Sequence, residues 1–140
     1  MSDSLVIIPT FNEKENVEAM IHKIFSLQKH FHILVVDDNS PDGTANIVKS
    51  LQPTYPESLF LLERKGKLGL GTAYIAGFKY GLGKNYNYIF EIDCDFSHDP
   101  EDLIRLYHAC HKGGFDMAVG SRYVTGGRVE NWPKDRIALS

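Results

Sequence analysis

The chain has 140 residues, of which 15 are basic and 18 acidic, and its formal net charge is −3. This balance excludes a nucleic-acid binder that relies on bulk positive charge. The sequence contains no run of about 18 apolar residues, so no membrane span is predicted. The length and the 43% share of apolar residues predict one globular domain over residues 1–140. The two cysteines, Cys94 and Cys110, lack the C-x-x-C spacing of a zinc or redox site.

Short apolar runs alternate along the chain with segments of helical periodicity. The predicted strands are 5–8, 32–36, 59–62, 88–92 and 115–119, and the predicted helices are 13–27, 44–51, 72–82 and 100–111. Asn12 is placed to cap the first helix, with Glu15 completing a capping box. Apolar strands separated by helices predict an α/β fold with a mostly parallel central sheet flanked by helices. A further helix begins at Lys134, and because the chain stops at Ser140 without a termination signal, we expect a fragment of a longer protein.

The sharpest chemical signal is Asp93-Cys94-Asp95, directly after the fourth predicted strand. Ligands bind parallel sheets at the carboxyl ends of the strands, and residues two apart in a strand point the same way. Two carboxylates on one side favour a hard divalent cation such as Mg²⁺ or Mn²⁺. The alternative is that one aspartate caps the next turn while the other is solvated. Cys94 points away from the pair as a small buried thiol.

The other predicted strand ends also carry polar or aromatic groups. Asp37 and Asp38 end the second strand, where one is expected to cap the turn and the other to accept hydrogen bonds from a nucleoside. After the first strand, Phe11 has a face for base stacking and Glu13 a carboxylate for a base edge, although each could instead be a core residue or a cap. The basic, glycine-rich loop at 64–71 suits phosphates, while solvated lysines are the alternative.

Four further side chains are candidates for ligand contacts. Arg122 and Arg136 are candidate clamps for phosphate or carboxylate, His98 is a loop histidine or a neighbour of a phosphate, and Trp132 is a packing anchor or a sugar-stacking face. The sequence lacks the G-x-G-x-x-G fingerprint of dinucleotide-binding Rossmann domains, the P-loop of NTPases and the G-x-S-x-G elbow of α/β hydrolases.

Five sequence blocks in order carry a family resemblance. They are VIIPTFNE at 6–13, VVDDNSPDGT at 35–44, KLGLGTA at 67–73, DCDFSHDP at 93–100 and GSRY at 120–123. Together they resemble the inverting GT-A glycosyltransferases of the family 2 type, and within them the dolichyl- or polyprenyl-phosphate mannosyltransferases. The sequence departs from that pattern at Phe11, where tyrosine is usual, and at Cys94, where alanine is common.

The resemblance implies a GT-A nucleotide-sugar fold, GDP-mannose as donor, a polyprenyl phosphate as acceptor and a divalent metal, Mg²⁺ or Mn²⁺. By position, the guanosine would be held by Pro9, Phe11, Glu13, Val36 and Asp38. The diphosphate and metal would be met by Asp93, the backbone of Cys94, and Asp95, with Ser97 nearby. Arg122 would bind donor and acceptor phosphates and Arg136 the acceptor phosphate, so that Asp93, Asp95 and Arg122 form the catalytic set.

The resemblance also bears on location and on mechanism. It implies a cytoplasmic protein, or one at the cytoplasmic face of a membrane. Any membrane contact would come through the part of the longer protein outside this chain. No nucleic-acid partner is expected. A phosphate acceptor is already an anion, so no catalytic base is nominated. Two alternatives stay open: a UDP- or dTDP-sugar donor (for example glucose) or a different acceptor on the same fold, and a nucleotide-sugar-binding fragment without turnover.

Overall fold

The computed structural model describes residues 1–121. Four strands alternate with four helices, and the strands form one parallel sheet in the order β3-β2-β1-β4. In chain order the elements are β1 (Ser4–Thr10), α1 (Val17–Phe25), β2 (His32–Asp37), α2 (Thr44–Leu51), β3 (Leu59–Glu63), α3 (Leu70–Gly83), β4 (Tyr88–Glu91) and α4 (Asp102–His111). The predicted α/β fold with helices on a parallel sheet is confirmed.

Both faces of the sheet are buried, as the continuously apolar strands predict. Alternate residues of β1 point to opposite faces: Val6 and Ile8 pack with α1, α2 and α4, whereas Leu5 and Ile7 pack beneath α3. All four side chains are fully buried. Since both faces are covered, the polar residues after the strands are concentrated at the carboxyl edge of the sheet, where a ligand can reach them.

Two glycines bring α3 unusually close to the sheet. A Cβ atom at Gly77 would lie 2.6 Å from Cγ2 of Ile7, and one at Gly81 would lie 2.8 Å from Cδ1 of Ile89. The two positions are one helical turn apart and share a helix face. The missing side chains therefore set the distance between α3 and strands β1 and β4.

We expect Gly77→Ala to destabilise the protein by about 1–2 kcal/mol. Alanine improves helix propensity by at most about 1 kcal/mol, but overpacking against the fully buried Ile7 side chain costs about 1–3 kcal/mol. Gly83→Ala, at the end of the same helix with no atom within 4 Å of the added carbon, is the matched control. Thermal unfolding should show a fall of about 3–6 °C for Gly77→Ala only; equal melting temperatures would contradict the close-packing argument.

The first helix begins later than predicted, and the predicted N-cap is wrong. Asn12 has a left-handed backbone, with φ at 55°, and residues 13–16 form a turn in which the amides of Asn16 and Val17 both donate to the Glu13 carbonyl. Helix α1 starts at Val17. The amides of residues 12–14 are bound instead by side chains of the loop after β2, described below.

The predicted fifth strand is also wrong. Residues 115–119 form no strand, and Phe115, Met117 and Val119 are 65%, 78% and 78% exposed. A strand is defined by its hydrogen-bonded neighbour, and these residues do not pair with the outer edge of β4, which is open within residues 1–121. A cleft of about 500 Å³ separates that edge from residues 116–120. The predicted helix at 134 and the chain end lie outside the described residues.

Candidate functional site

The loops after β1 and β2 are joined by a row of hydrogen bonds. The amides of Asn12, Glu13 and Lys14 donate in turn to Ser40 Oγ at 2.9 Å, Thr44 Oγ1 at 3.0 Å and Asp42 Oδ2 at 3.1 Å. Every acceptor is a side chain of the SPDGT segment at 40–44. These contacts fix the β1 loop, with Phe11 and Glu13, at the edge of the sheet.

The neighbouring acids Asp37 and Asp38 take different roles. Asp37 is buried and caps the turn, since its carboxylate accepts from the Ser40 amide at 3.0 Å and from the Thr10 hydroxyl at 2.7 Å. This is the capping role expected of one member of the pair. Asp38 is therefore the member of the pair left for the predicted nucleoside contact.

Asp38 is held by Arg64 in a two-pronged ion pair. Nε of Arg64 donates to Oδ1 at 2.6 Å and Nη2 to Oδ2 at 2.8 Å, and the two side chains are only 12% and 8% exposed. The same guanidinium donates to Thr72 Oγ1 at 2.9 Å, which ties the start of α3 to this corner. The hydrogen bond to Asp38 raises the pKa of Arg64. The sequence suggested this loop for phosphates; Arg64 instead orders the carboxylate expected to meet a nucleoside.

The predicted stacking residue Phe11 is 37% exposed at the same edge. Nζ of Lys67, from the glycine-rich loop, lies 4.9 Å from its ring centroid, within cation–π range. Pro9 is half-buried beside it, in register with Val36 on β2. Val36 is fully buried beneath α3, backbone included, so it presents no exposed atom to a ligand.

Beyond β4 the chain continues the in-and-out alternation of a strand. Ile92 and Cys94 are buried in the core, whereas Asp93 is half-buried and Asp95 exposed on the other side. Burial raises the pKa of the Cys94 thiol, and the carboxylates of Glu13, Asp95 and Asp93 raise it further. The thiol is therefore protonated at neutral pH, and its predicted burial is confirmed.

Each aspartate of the pair has one oxygen held by a separate element. Oδ1 of Asp93 accepts from the Tyr74 hydroxyl of α3 at 2.9 Å, and Oδ1 of Asp95 accepts from the Ser97 amide at 3.0 Å. Burial raises the pKa of Tyr74 and the Asp93 carboxylate raises it further, so the phenol is a donor at neutral pH. Oδ2 of Asp93 accepts no hydrogen bond from residues 1–121. The Asp95 carboxylate is also hydrogen bonded by the Ser97 side chain, and its hydrogen bonds lower the pKa of Asp95 against the opposing effect of burial.

The site carries an excess of negative charge. Burial raises the pKa of Glu13, and the carboxylates of Asp95, Asp42 and Asp93 add to that effect against the lowering by the Asn16 amide. Burial and the Asp93 charge likewise raise the pKa of Glu91. Acidic groups that disfavour one another's ionisation mark a place where a cation is favourable.

Replacing Glu13 by glutamine should therefore stabilise the protein at neutral pH. When the pKa of a carboxyl group is higher in the folded state, the folded protein loses stability as the pH rises from the ordinary pKa of 4.5 through the raised pKa. We expect Glu13→Gln to raise the melting temperature by about 1–3 °C at pH 7 and by nothing at pH 4. The exposed Glu57→Gln is the control. A gain of equal size at both pH values would contradict this origin.

The structure brings together the predicted residues that it describes. Phe11, Glu13, Asp38, Asp93 and Asp95 lie on loops at one edge of the sheet. Ser97 lies in the turn after Asp95. Arg122, Arg136 and Trp132 lie outside the described residues.

Sequence reasoning missed two residues of this edge. Tyr74 reads in sequence only as a member of an amphipathic helix, and Arg64 only as part of a basic loop. The one available signal for Tyr74 was its position three residues before Gly77, on the helix face that meets the sheet.

The residues present fit part of a metal site. Among residues 1–121 no set of three His, Cys, Asp or Glu side chains is arranged to hold a metal ion. Asp93 offers one oxygen that is not already hydrogen bonded within that range, and Asp95 adds a second carboxylate in the same region of negative charge. One or two carboxylates together with substrate phosphates are the usual protein site for Mg²⁺.

In the part of the chain that the structure describes, no helix has the length and hydropathy of a membrane span.

Three curated relatives with similar sequences are all lipid-phosphate mannose enzymes. The chain is 47% identical over 137 residues to a polyprenol monophosphomannose synthase of Mycolicibacterium smegmatis, covering 98% of this chain and 51% of the relative. An undecaprenyl-phosphate mannosyltransferase of Micrococcus luteus is 43% identical, with 97% and 55% covered. A dolichol-phosphate mannosyltransferase of Pyrococcus furiosus is 42% identical, with 96% and 37% covered. The chain thus spans about half the length of the first two and less of the third.

Solved structures agree on the fold. The mannosyltransferase PcManGT of Pyrobaculum calidifontis, in complex with GDP-Man and Mn²⁺, matches with a TM-score of 0.53 and 28% identity over 56% of this chain and 24% of that one. Staphylococcus aureus TarS 1–349 in complex with UDP matches with a TM-score of 0.63 at 20% identity, over 80% and 32%. The expected GT-A fold is confirmed. The model of the family described as Glycosyl transferase family 2 matches residues 5–139, and the chain belongs to that family.

Proposed function

We propose that residues 1–140 form the nucleotide-sugar-binding part of an inverting mannosyltransferase. The enzyme would transfer mannose from GDP-mannose to a polyprenyl phosphate in a reaction that depends on a divalent cation. The observation that carries this proposal is the meeting of two groups at one sheet edge: Asp38 beside Phe11, and Asp93 with Asp95. The first group suits a nucleobase, the second a diphosphate with its metal. The related polyprenol-, undecaprenyl- and dolichol-phosphate enzymes support the choice of sugar and acceptor.

The nucleoside would bind between the β1 and β2 loops. Phe11 offers an exposed ring face, and a base stacked there would have to displace Lys67 or slide beneath it. Asp38 uses one lone pair of each oxygen for Arg64 and keeps acceptor capacity for N–H groups of a base. Guanine offers such donors on its N1 and N2 edge. Pro9 and Glu13 would complete this half of the site, whereas the fully buried Val36 would make no direct contact with the ligand.

The diphosphate would lie toward Asp93 and Asp95, with Mg²⁺ or Mn²⁺ held by their oxygens. When bound, the metal would act as a Lewis acid that stabilises the leaving diphosphate. The backbone of Cys94 and the side chain of Ser97 would lie beside the same diphosphate and metal. PcManGT was solved with GDP-Man and Mn²⁺, which supports a divalent cation here.

The reaction needs no catalytic base in this chain. A phosphate monoester is an anion at neutral pH, so its oxygen is already nucleophilic, and the protein has only to aim it at the anomeric carbon. We assign that aiming to Arg122 and Arg136, outside the described residues. For the longer protein we propose work at the cytoplasmic face of a membrane, where its lipid acceptor lies.

Calorimetric titration of the 140-residue chain tests the proposal. GDP-mannose, GDP, UDP-glucose and UDP would each be added with and without Mn²⁺. We expect binding that depends on Mn²⁺ and is at least about tenfold tighter for the guanosine ligands. A preference for uridine would overturn the choice of donor, and equal binding with and without Mn²⁺ would overturn the metal assignment.

A further inference from the structure

One hydroxyl group outside the acidic pair contacts it directly. The phenol of Tyr74, on α3, donates to Oδ1 of Asp93 at 2.9 Å. We propose that Tyr74 is a positioning residue that holds Asp93 in the orientation needed to bind the metal–diphosphate group. The inference rests on the proposed function, because Asp93 has this task only if the site takes a nucleotide sugar.

The position of Tyr74 is fixed by close packing. It lies three residues before Gly77, where α3 approaches Ile7 so closely that a Cβ atom would be 2.6 Å away. Ala73, just before it, is 1% exposed and packs in the cluster beneath α3. The helix therefore has little freedom to slide or roll, and the Tyr74 ring reaches the carboxyl end of β4 from a rigid base.

The hydrogen bond divides the two oxygens of Asp93 between two tasks. Oδ1 is occupied by the phenol, and the carboxylate plane is thereby fixed, so Oδ2 is the oxygen presented to a cation. A hydrogen bond of this kind to a metal-binding carboxylate both orients it and lowers the entropy lost on binding. Loss of the hydroxyl would leave Asp93 free to rotate or to turn away from Asp95.

Asp95 provides the contrast within the same site. Its Oδ1 is held by the Ser97 amide two residues on, within its own turn. The two aspartates are thus oriented independently, Asp95 by local chain geometry and Asp93 by a helix that comes 19 residues earlier. Only Asp93 should respond to a change in α3.

Tyr74→Phe removes the hydroxyl and keeps the ring, and Tyr80→Phe is its matched control. Tyr80 lies on the same helix and packs against the same apolar cluster, but its hydroxyl makes no hydrogen bond within residues 1–121. Mn²⁺ affinity would be measured in the presence of saturating GDP, from the electron paramagnetic resonance signal of free Mn²⁺. Guanosine affinity would be measured separately by calorimetry, well below the melting temperature.

We expect Tyr74→Phe to weaken Mn²⁺ binding by about tenfold, with guanosine affinity unchanged and Tyr80→Phe like the wild type. Mn²⁺ affinity within twofold of the wild type would overturn the positioning role, as would a parallel loss of guanosine affinity, which marks a general structural defect. A wild-type chain that fails to bind Mn²⁺ with GDP would overturn the proposed function itself, and with it this role.

Discussion

Replacing Asp93 and Asp95 together by asparagine is expected to weaken Mn²⁺-dependent binding of GDP-mannose by more than about 100-fold. Asparagine keeps the size and one oxygen of each side chain but removes the charge that a hard cation needs. The hydrogen bonds from Tyr74 and the Ser97 amide can go to the amide oxygens, so the fold should be kept. Calorimetry with and without Mn²⁺ measures the loss.

A second charge-reduced variant separates site chemistry from net charge. Glu57→Gln with Asp116→Asn removes two exposed carboxylates elsewhere and raises the net charge equally. We expect this control to bind GDP-mannose like the wild type. Guanosine alone should bind the Asp93 and Asp95 variant normally, because the base half of the site is untouched. Unchanged Mn²⁺-dependent binding in that variant would show that the metal lies elsewhere.

The sheet and the acidic pair were predictable because both follow from period and position. Strands that are apolar throughout must be buried on both faces, as β1 and β2 are. Asp93 and Asp95 follow the fourth strand, at the carboxyl edge of the same sheet. The burial of Cys94 between them follows from the same alternation. The family resemblance then narrowed the possible ligands of this acidic strand end to a nucleotide sugar. A D-x-D pattern alone is too short to identify that ligand.

The contacts that orient the acids were not predictable, because they join residues far apart in sequence. Arg64 reaches Asp38 across 26 residues and Tyr74 reaches Asp93 across 19. The conformation before α1 was not predictable for a similar reason, since residues 12–14 are bound by side chains of residues 40–44, which are distant in sequence. The error at 115–119 has a different origin: an apolar run does not by itself form a strand, and residues 115–119 do not pair with β4 although its outer edge is open within residues 1–121.

Arg64→Met is expected to be the most destabilising single change at the site, costing about 3–5 kcal/mol in the free energy of unfolding. It would leave the Asp38 carboxylate, 8% exposed, without its ion-pair partner. The start of α3 would also lose the Arg64 hydrogen bond to Thr72. Urea unfolding measures the cost. The control is Arg105→Met, whose ion pair with Asp102 is 77% and 47% exposed and should cost less than about 1 kcal/mol.

The double variant Arg64→Met with Asp38→Asn distinguishes a buried charge from a lost packing contact. If the cost comes from the unpaired carboxylate, neutralising Asp38 should restore about half or more of the lost stability. It should not restore guanosine binding, because the charged acceptor is then absent. No recovery of stability would mean that Arg64 acts through its contacts with Thr72 and Gly69. Recovery would mean that the arginine keeps a charged base acceptor in a nearly buried place, where Asp38 alone would destabilise the fold.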